Sequence, residues 1–415
     1  MIVLVYFLNL LFLFGVSVIV YRVISDSRIQ KIYWPLLILK LIAGILLGLL
    51  YHYYYGGGDT IAYFEKATEL AQLPWSDFWV TITSQPISSQ PVRAIYFERM
   101  VGAVLFITQA NYWIASLYFS FLSFLGALYF VIQVAKFRAS HLTSAVLTFL
   151  VFPSVVFWSS GIMKESMAFA GLMVLAALYL KIINEQFKWV DVAGLLVSAF
   201  VLGLLKSYIL IVAIPVFLLL IQDYYFKNYY ENPLGTGTRL AVIGVVVLPA
   251  SYFIFSFLFP NFHWNNLFND IEISRQNIYQ NSYRSLNVYS FTELGVFTPV
   301  VNFFHYLFSG IFRPQLFESW EFPVWLAAVE NFVIMTLVGW KVYTIRLKLN
   351  LVTLEGFMVF AYILFLAWML AYSLPNLGTI SRMKVYYMPF FMFVVMKDHP
   401  VLNHLQKLKF LARVI

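Results

Sequence analysis

No charged residue occurs between Ile2 and Val20, and comparable apolar runs recur almost to the C-terminus. A stretch of that length matches the roughly 20 residues an α-helix needs to cross the hydrocarbon of a bilayer. Inside hydrocarbon every backbone polar group must be bonded within the chain, so only helices and closed barrels span. A barrel strand alternates apolar and polar residues over about 10 positions. The Leu, Ile, Phe and Val runs here do not alternate, so the chain reads as an all-α polytopic transmembrane bundle. Composition agrees: of 415 residues 62% are hydrophobic and 11% charged, against about 25% charged in a soluble domain. Soluble enzymes, disordered chains and disulfide scaffolds are excluded.

The net charge of +8 does not point to nucleic acid, because the basic residues sit at the ends of apolar runs, where orientation signals lie. Arg22, Arg28 and Lys31 follow the first run, which places that loop in the cytoplasm and the N-terminus outside. Lys40 in the second run, 34–51, reads as a lysine snorkelling to the inner interface. Continuing in alternation gives further spans near 112–134, 142–158, 167–180, 192–205, 209–221, 240–259, 323–342, 352–373 and 383–396. The total is about eleven spans in one transmembrane domain covering 1–415, with a cytoplasmic C-terminus. Two segments, about 52–100 and 260–322, fall outside. Within them Asp59–Leu73 and Phe291–Phe312 read as interfacial helices. With no cysteine there is no thiolate or Cys metal site. The absence of any Asn-x-Ser/Thr acceptor suits a bacterial inner membrane. Because the inner loops are short, chemistry is expected on the outer side.

Ionisable groups near hydrocarbon cost about 2.5–3.5 kcal/mol each, so those at span ends are the candidates for function. In Gly56-Gly57-Gly58-Asp59-Thr60-Ile61-Ala62-Tyr63 three glycines free the backbone where a span ends. Asp59 either caps the helix that follows or acts as a general base, with Tyr63 one turn on. Lys164-Glu165 lies between two short spans, as a neutralised pair or as a phosphate-holding lysine with an orienting carboxylate. Lys206-Ser207-Tyr208 either repeats that design at the next turn or carries a snorkelling lysine. Arg313, with Glu318 and Glu321 downstream, makes either a salt bridge or a bidentate phosphate contact. Arg382 and Lys384 follow an outer loop at Asn376-Leu377-Gly378-Thr379, against the positive-inside tendency, either as a bound-anion site or as the solvated face of a short loop. Glu98-Arg99 reads as an ion pair, and Arg275 and Arg284 as solvated. No histidine has metal-ligand spacing, and phosphate-loop, dinucleotide and serine-nucleophile motifs are absent.

The outer Asp59 with its following interfacial helix, the paired short spans with Lys/Glu turns and the late Arg loop together resemble the membrane-embedded GT-C type glycosyltransferases. More narrowly, Gly58-Asp59-Thr60 with Tyr63, Trp158-Ser159 with Lys164-Glu165, Arg313-Pro314, and Asn376-x-Gly378-Thr379-x-x-Arg382 resemble bacterial polytopic proteins of surface-polysaccharide assembly, glycosyltransferases or repeat-unit polymerases. The resemblance implies a GT-C-like fold and a polyprenyl-phosphate-linked sugar donor. It makes Asp59 the base that deprotonates a glycan acceptor, with Lys164, Lys206, Arg313, Arg382 and Lys384 on the donor phosphate. The chain departs from the pattern in two ways. Asp59 follows the second run rather than the first, and there is no Asp-x-Asp or Glu-x-Asp pair, so no divalent metal is implied. The rival readings are a transporter or flippase for a lipid-linked or anionic solute, whose broken helices carry polar turns, and a non-catalytic membrane subunit of an envelope complex.

Overall fold

A computed structural model describes residues 2–84, 92–229, 245, 249, 267–281, 290–291, 294–345 and 354–402. Every regular element among them is helical, as the backbone argument requires. Among the described residues eight helices are long and apolar enough to cross a bilayer; the expectation of about eleven spans covers the whole chain. Apart from 245 and 249, the run 240–259 lies outside the described residues, as do Arg284, Arg346, Lys348 and the basic tail at Lys407, Lys409 and Arg413. The chain divides into two compact units, 1–207 with 401–415, and 208–400.

The first unit opens with α1 (Ile2–Val23) and α2 (Ser27–Leu49). Asp26 caps α2 by accepting the Arg28 backbone N–H. At its far end α2 widens into a π-helical turn, Leu50–Tyr55, a form often found beside functional sites. Next come α3 (Asp59–Ala71), α4 (Trp75–Thr83), α5 (Val92–Thr108) and α6 (Tyr112–Phe137). Small residues set the close packing. A Cβ on Gly126 of α6 would lie 2.8 Å from the backbone of Ala170, and on Gly48 of α2 2.7 Å from Tyr112. Backbones approach most closely where side chains are smallest, as is usual between membrane helices.

The expected span 142–158 is instead a broken element: α7 (Leu142–Val146), a π turn at Leu147–Val151, and α8 (Pro153–Trp158). Pro153 causes the break, since a residue before proline is driven out of the helical region, and Phe152 has φ −57° and ψ 121°. A buried, non-helical turn, 159–163, leads to α9 (Lys164–Ile183). Its polar groups are satisfied from inside the unit: the Gly161 N–H donates to Ser120 Oγ at 2.9 Å, and Ser160 Oγ donates to Val156 O at 2.6 Å. Buried irregular backbone requires such internal bonding. The paired spans 192–205 and 209–221 form one run, α10 (Trp189–Tyr229), interrupted only at Lys206, where φ is −145° and ψ 62°. The boundary between the units falls there.

The second unit contains α11 (Leu267–Asn281), α12 (Thr298–Phe312), α13 (Phe322–Ile345) and α14 (Leu354–Ser373). The helix expected to lie along the interface at 291–312 is, with its leading turn from Gly295, one of the eight long enough to cross. The last expected span, 383–396, is replaced by short buried pieces: α15 (Leu377–Met383), a 3-10 turn at Lys384–Tyr386 and α16 (Met388–Met396). The expected loop 376–384 is therefore mostly helix, and Asn376 is its N-cap, accepting the Thr379 N–H at 3.0 Å.

Candidate functional site

In the first unit the site forms where α2, α3, α9 and α10 meet loops. The glycine turn delivers α3: Gly56, Gly57 and Gly58 have φ of 65°, 158° and 116°, values that L side chains rarely adopt. A Cβ on Gly58 would also sit 2.9 Å from the Tyr51 ring. Gly58 is the cap residue, so Asp59 is the first residue of the helix rather than its N-cap. Its carboxylate belongs to the end where the helix dipole favours negative charge. Next to it, Thr60 Oγ1 is bonded to Tyr112 Oη at 2.8 Å. One turn along, Tyr63 is buried and packs edge-on against Phe97 at 5.0 Å.

Glu165 lies within electrostatic range of Lys164 but is hydrogen-bonded to a different lysine. Consecutive residues of a helix point about 100° apart, and here they serve different partners. Glu165 is buried at the start of α9 and accepts from Lys206 Nζ at 2.9 Å. Lys206 reaches it from the one non-helical residue of α10. Lys164 Nζ lies over the Tyr63 ring, 4.8 Å from its centroid, and within electrostatic range of Lys206, Glu165, Asp59 and Arg93. Among the described residues no carboxylate or carbonyl accepts a hydrogen bond from Lys164. Asp59, Tyr63, Lys164, Glu165 and Lys206 are thus brought together in one unit. Arg93 joins them, and nothing in its sequence context marks it.

The remaining candidates belong to the second unit. Lys384 is buried and its three donors go to Ile311 O at 2.8 Å, Arg313 O at 2.9 Å and Asn331 Oδ1 at 3.0 Å. Asn331 returns a bond to Pro314 O at 2.8 Å. Lys384 is therefore not an open phosphate ligand; it clamps the carbonyls where α12 ends. The Arg313–Pro314 bond is cis. Arg313 Nε meets Glu318 Oε1 at 2.5 Å, so the salt-bridge reading of that pair holds. Tyr208 Oη contacts Met383 Sδ at 3.6 Å, beside the half-buried Arg382.

Three other basic residues depart from their expected places. Lys40 does not snorkel: it is buried and donates to Val156 O at 3.3 Å and to Ser159 Oγ, at the end of α8. Glu98 and Arg99 do not pair with each other. Glu98 faces Lys66 at 3.7 Å, and Arg99 donates to Ser84 O at 2.7 Å. Arg275 is not solvated. Its guanidinium lies 5.7 Å and 5.2 Å from the Tyr306 and Tyr372 rings and pairs with Glu272 at 3.4 Å. No group of three His, Asp or Glu among the described residues has the arrangement of a metal site. Compared with known protein families, with curated proteins and with solved structures, the chain finds no match in any of the three.

Proposed function

We propose that the protein is a membrane glycosyltransferase or polysaccharide polymerase that uses a polyprenyl-phosphate-linked sugar on the outer face of a bacterial inner membrane. The observation that carries this reading is the state of Lys164. Its ammonium rests on an aromatic ring beside Asp59, with no hydrogen-bond acceptor among the described residues. The neighbouring cation, Lys206, is already neutralised by Glu165. Glu165 and Asp59 lie within electrostatic range of the lysine, yet its hydrogen-bond donors are unused among the described residues, and the oxygens of an incoming phosphate would fill them beside the Asp59 carboxylate.

In this reading Asp59 accepts the proton of the acceptor hydroxyl as its oxygen attacks the anomeric carbon. The bond from that carbon to the phosphate oxygen breaks, and polyprenyl phosphate leaves with its charge held by Lys164. Tyr63 supports the lysine, and Glu165 with Lys206 fixes the start of α9. Arg382 remains an anion ligand on the strength of the resemblance alone. Asp59→Asn is expected to lower transfer by about 10²–10⁴-fold, the usual contribution of a positioned acid or base, with an unchanged melting temperature in detergent. Full activity in that variant removes Asp59 as the base.

The buried break at 159–163 favours a second reading, transport, since transporters bind solutes at discontinuous helices. Reconstituted vesicles separate the two. A new glycosidic bond supports transfer, and movement of unchanged lipid-linked sugar supports transport.

A further inference from the structure

The loop between α12 and α13, residues 313–321, is closed on itself. The Glu318 N–H donates to Gln315 O at 3.0 Å, and Glu318 Oε2 accepts the Gln315 N–H at 2.8 Å. Its other oxygen holds Arg313 Nε. From behind, Lys384 and Asn331 fix the carbonyls of Ile311, Arg313 and Pro314. Backbone and side chain at Arg313 are therefore held from two directions before any ligand arrives.

What this frame presents is a mixed set of donors and acceptors. The Arg313 Nε edge is used, while its terminal amino groups meet no hydrogen-bond acceptor among the described residues, and the side chain keeps 13% exposure. Each oxygen of Glu318 accepts one bond, and a carboxylate offers about four lone-pair sites in all. Donors and acceptors thus stand side by side. The charge is already balanced: Arg313 and Lys384 face Glu318 and Glu330, both of which lie within electrostatic range of Lys384. An oxyanion would add negative charge with no cation left to meet it. A neutral ligand bearing adjacent hydroxyls, each able to donate and accept, fits the set. Flanking Glu318, Phe317 and Trp320 are 84% and 77% exposed, so flat apolar rings border the polar pair.

We propose that this loop is a carbohydrate subsite, in which vicinal hydroxyls of a neutral sugar bond across Arg313 and Glu318 and the sugar ring lies against Trp320. Lys384 and Asn331 are positioning residues for Arg313. The subsite takes the place of the phosphate role that the resemblance gives Arg313. Its part in catalysis rests on the glycosyl-transfer reading; its binding of sugar does not.

The test is saturation-transfer NMR on the full chain in lipid nanodiscs. The probes are the methyl glycosides of glucose, galactose and mannose, with inorganic phosphate as competitor. At least one glycoside should show ring-proton saturation. Trp320→Ala and Arg313→Lys should each weaken its binding by about tenfold or more, the loss expected when a site built to bond hydroxyls loses a partner. Trp320→Ala alters an exposed side chain and should melt like the parent. Three results overturn the proposal: no glycoside binds, phosphate displaces the sugar, or Trp320→Ala leaves binding intact and only loosens the protein from the bilayer. Asp59→Asn should bind sugar normally. If that variant also keeps full transfer, the reaction scheme fails while the subsite stands.

Discussion

Lysines carry the clearest lesson at the scale of single residues. Lys40, Lys341 and Lys384 each donate to carbonyls where a helix stops: Val156 O in the last turn of α8, Val394 O and Lys397 O at the end of α16, and Ile311 O and Arg313 O at the end of α12. The last carbonyls of a helix lack intrahelical partners and carry partial negative charge, so a cation there meets two needs together. Sequence alone distinguishes such a clamp poorly from a topology signal or an anion ligand, because the partner carbonyl lies up to 116 positions away, as for Lys40 and Val156. Lys384→Met would strand three acceptors, at about 1–3 kcal/mol for each one that stays buried and unbonded. A fall in melting temperature of several degrees is expected in detergent, and an unchanged melt rules the clamp out. Asp26 offers a pH test. Its hydrogen bond to the Arg28 side chain is the main reason its carboxyl titrates below the ordinary 3.8. A folded value below the unfolded one means that the stabilisation is complete above about pH 4 and fades as acid is added. Parent and Asp26→Asn melts should differ by a constant amount from pH 5 to 7, and the gap should close below about pH 4.

Among elements, the long helices were legible and the broken ones were not. A hydropathy pattern reports what a segment is made of, and α1, α2, α6 and α9 each carry an apolar run long enough to cross. It is blind to Pro153 ending a helix at Phe152, or to α16 being only Met388–Met396. The polar turns were found, yet their pairings were not: Glu165 was expected beside Lys164 and instead bonds Lys206, 41 positions on. Nothing local encodes that choice, which follows from where α10 breaks. Because both charges are buried, removing one leaves the other uncompensated at about 3–5 kcal/mol. Glu165→Ala should therefore be strongly destabilised, whereas Glu165→Ala combined with Lys206→Met should regain most of the loss. Equal melting temperatures for the single and double variants contradict the pairing.

For the molecule as a whole, the absence of cysteine makes sidedness directly measurable. Single cysteines at the exposed Glu69 and Trp320 should react with a membrane-impermeant maleimide added outside intact cells, and one at Arg138 only after lysis. The opposite pattern inverts the topology that the basic residues imply. The broken elements also bear on biogenesis. Six residues in α8, seven in α15 and nine in α16 fall far short of the roughly 20 that partition into lipid unaided. A nascent chain cannot release these pieces into the bilayer one at a time; they enter only a cradle that the long helices have already built. Chaperoned insertion would then proceed in two waves, and truncations that spare every short piece but delete α6 or α14 should leave the rest stranded at the translocon.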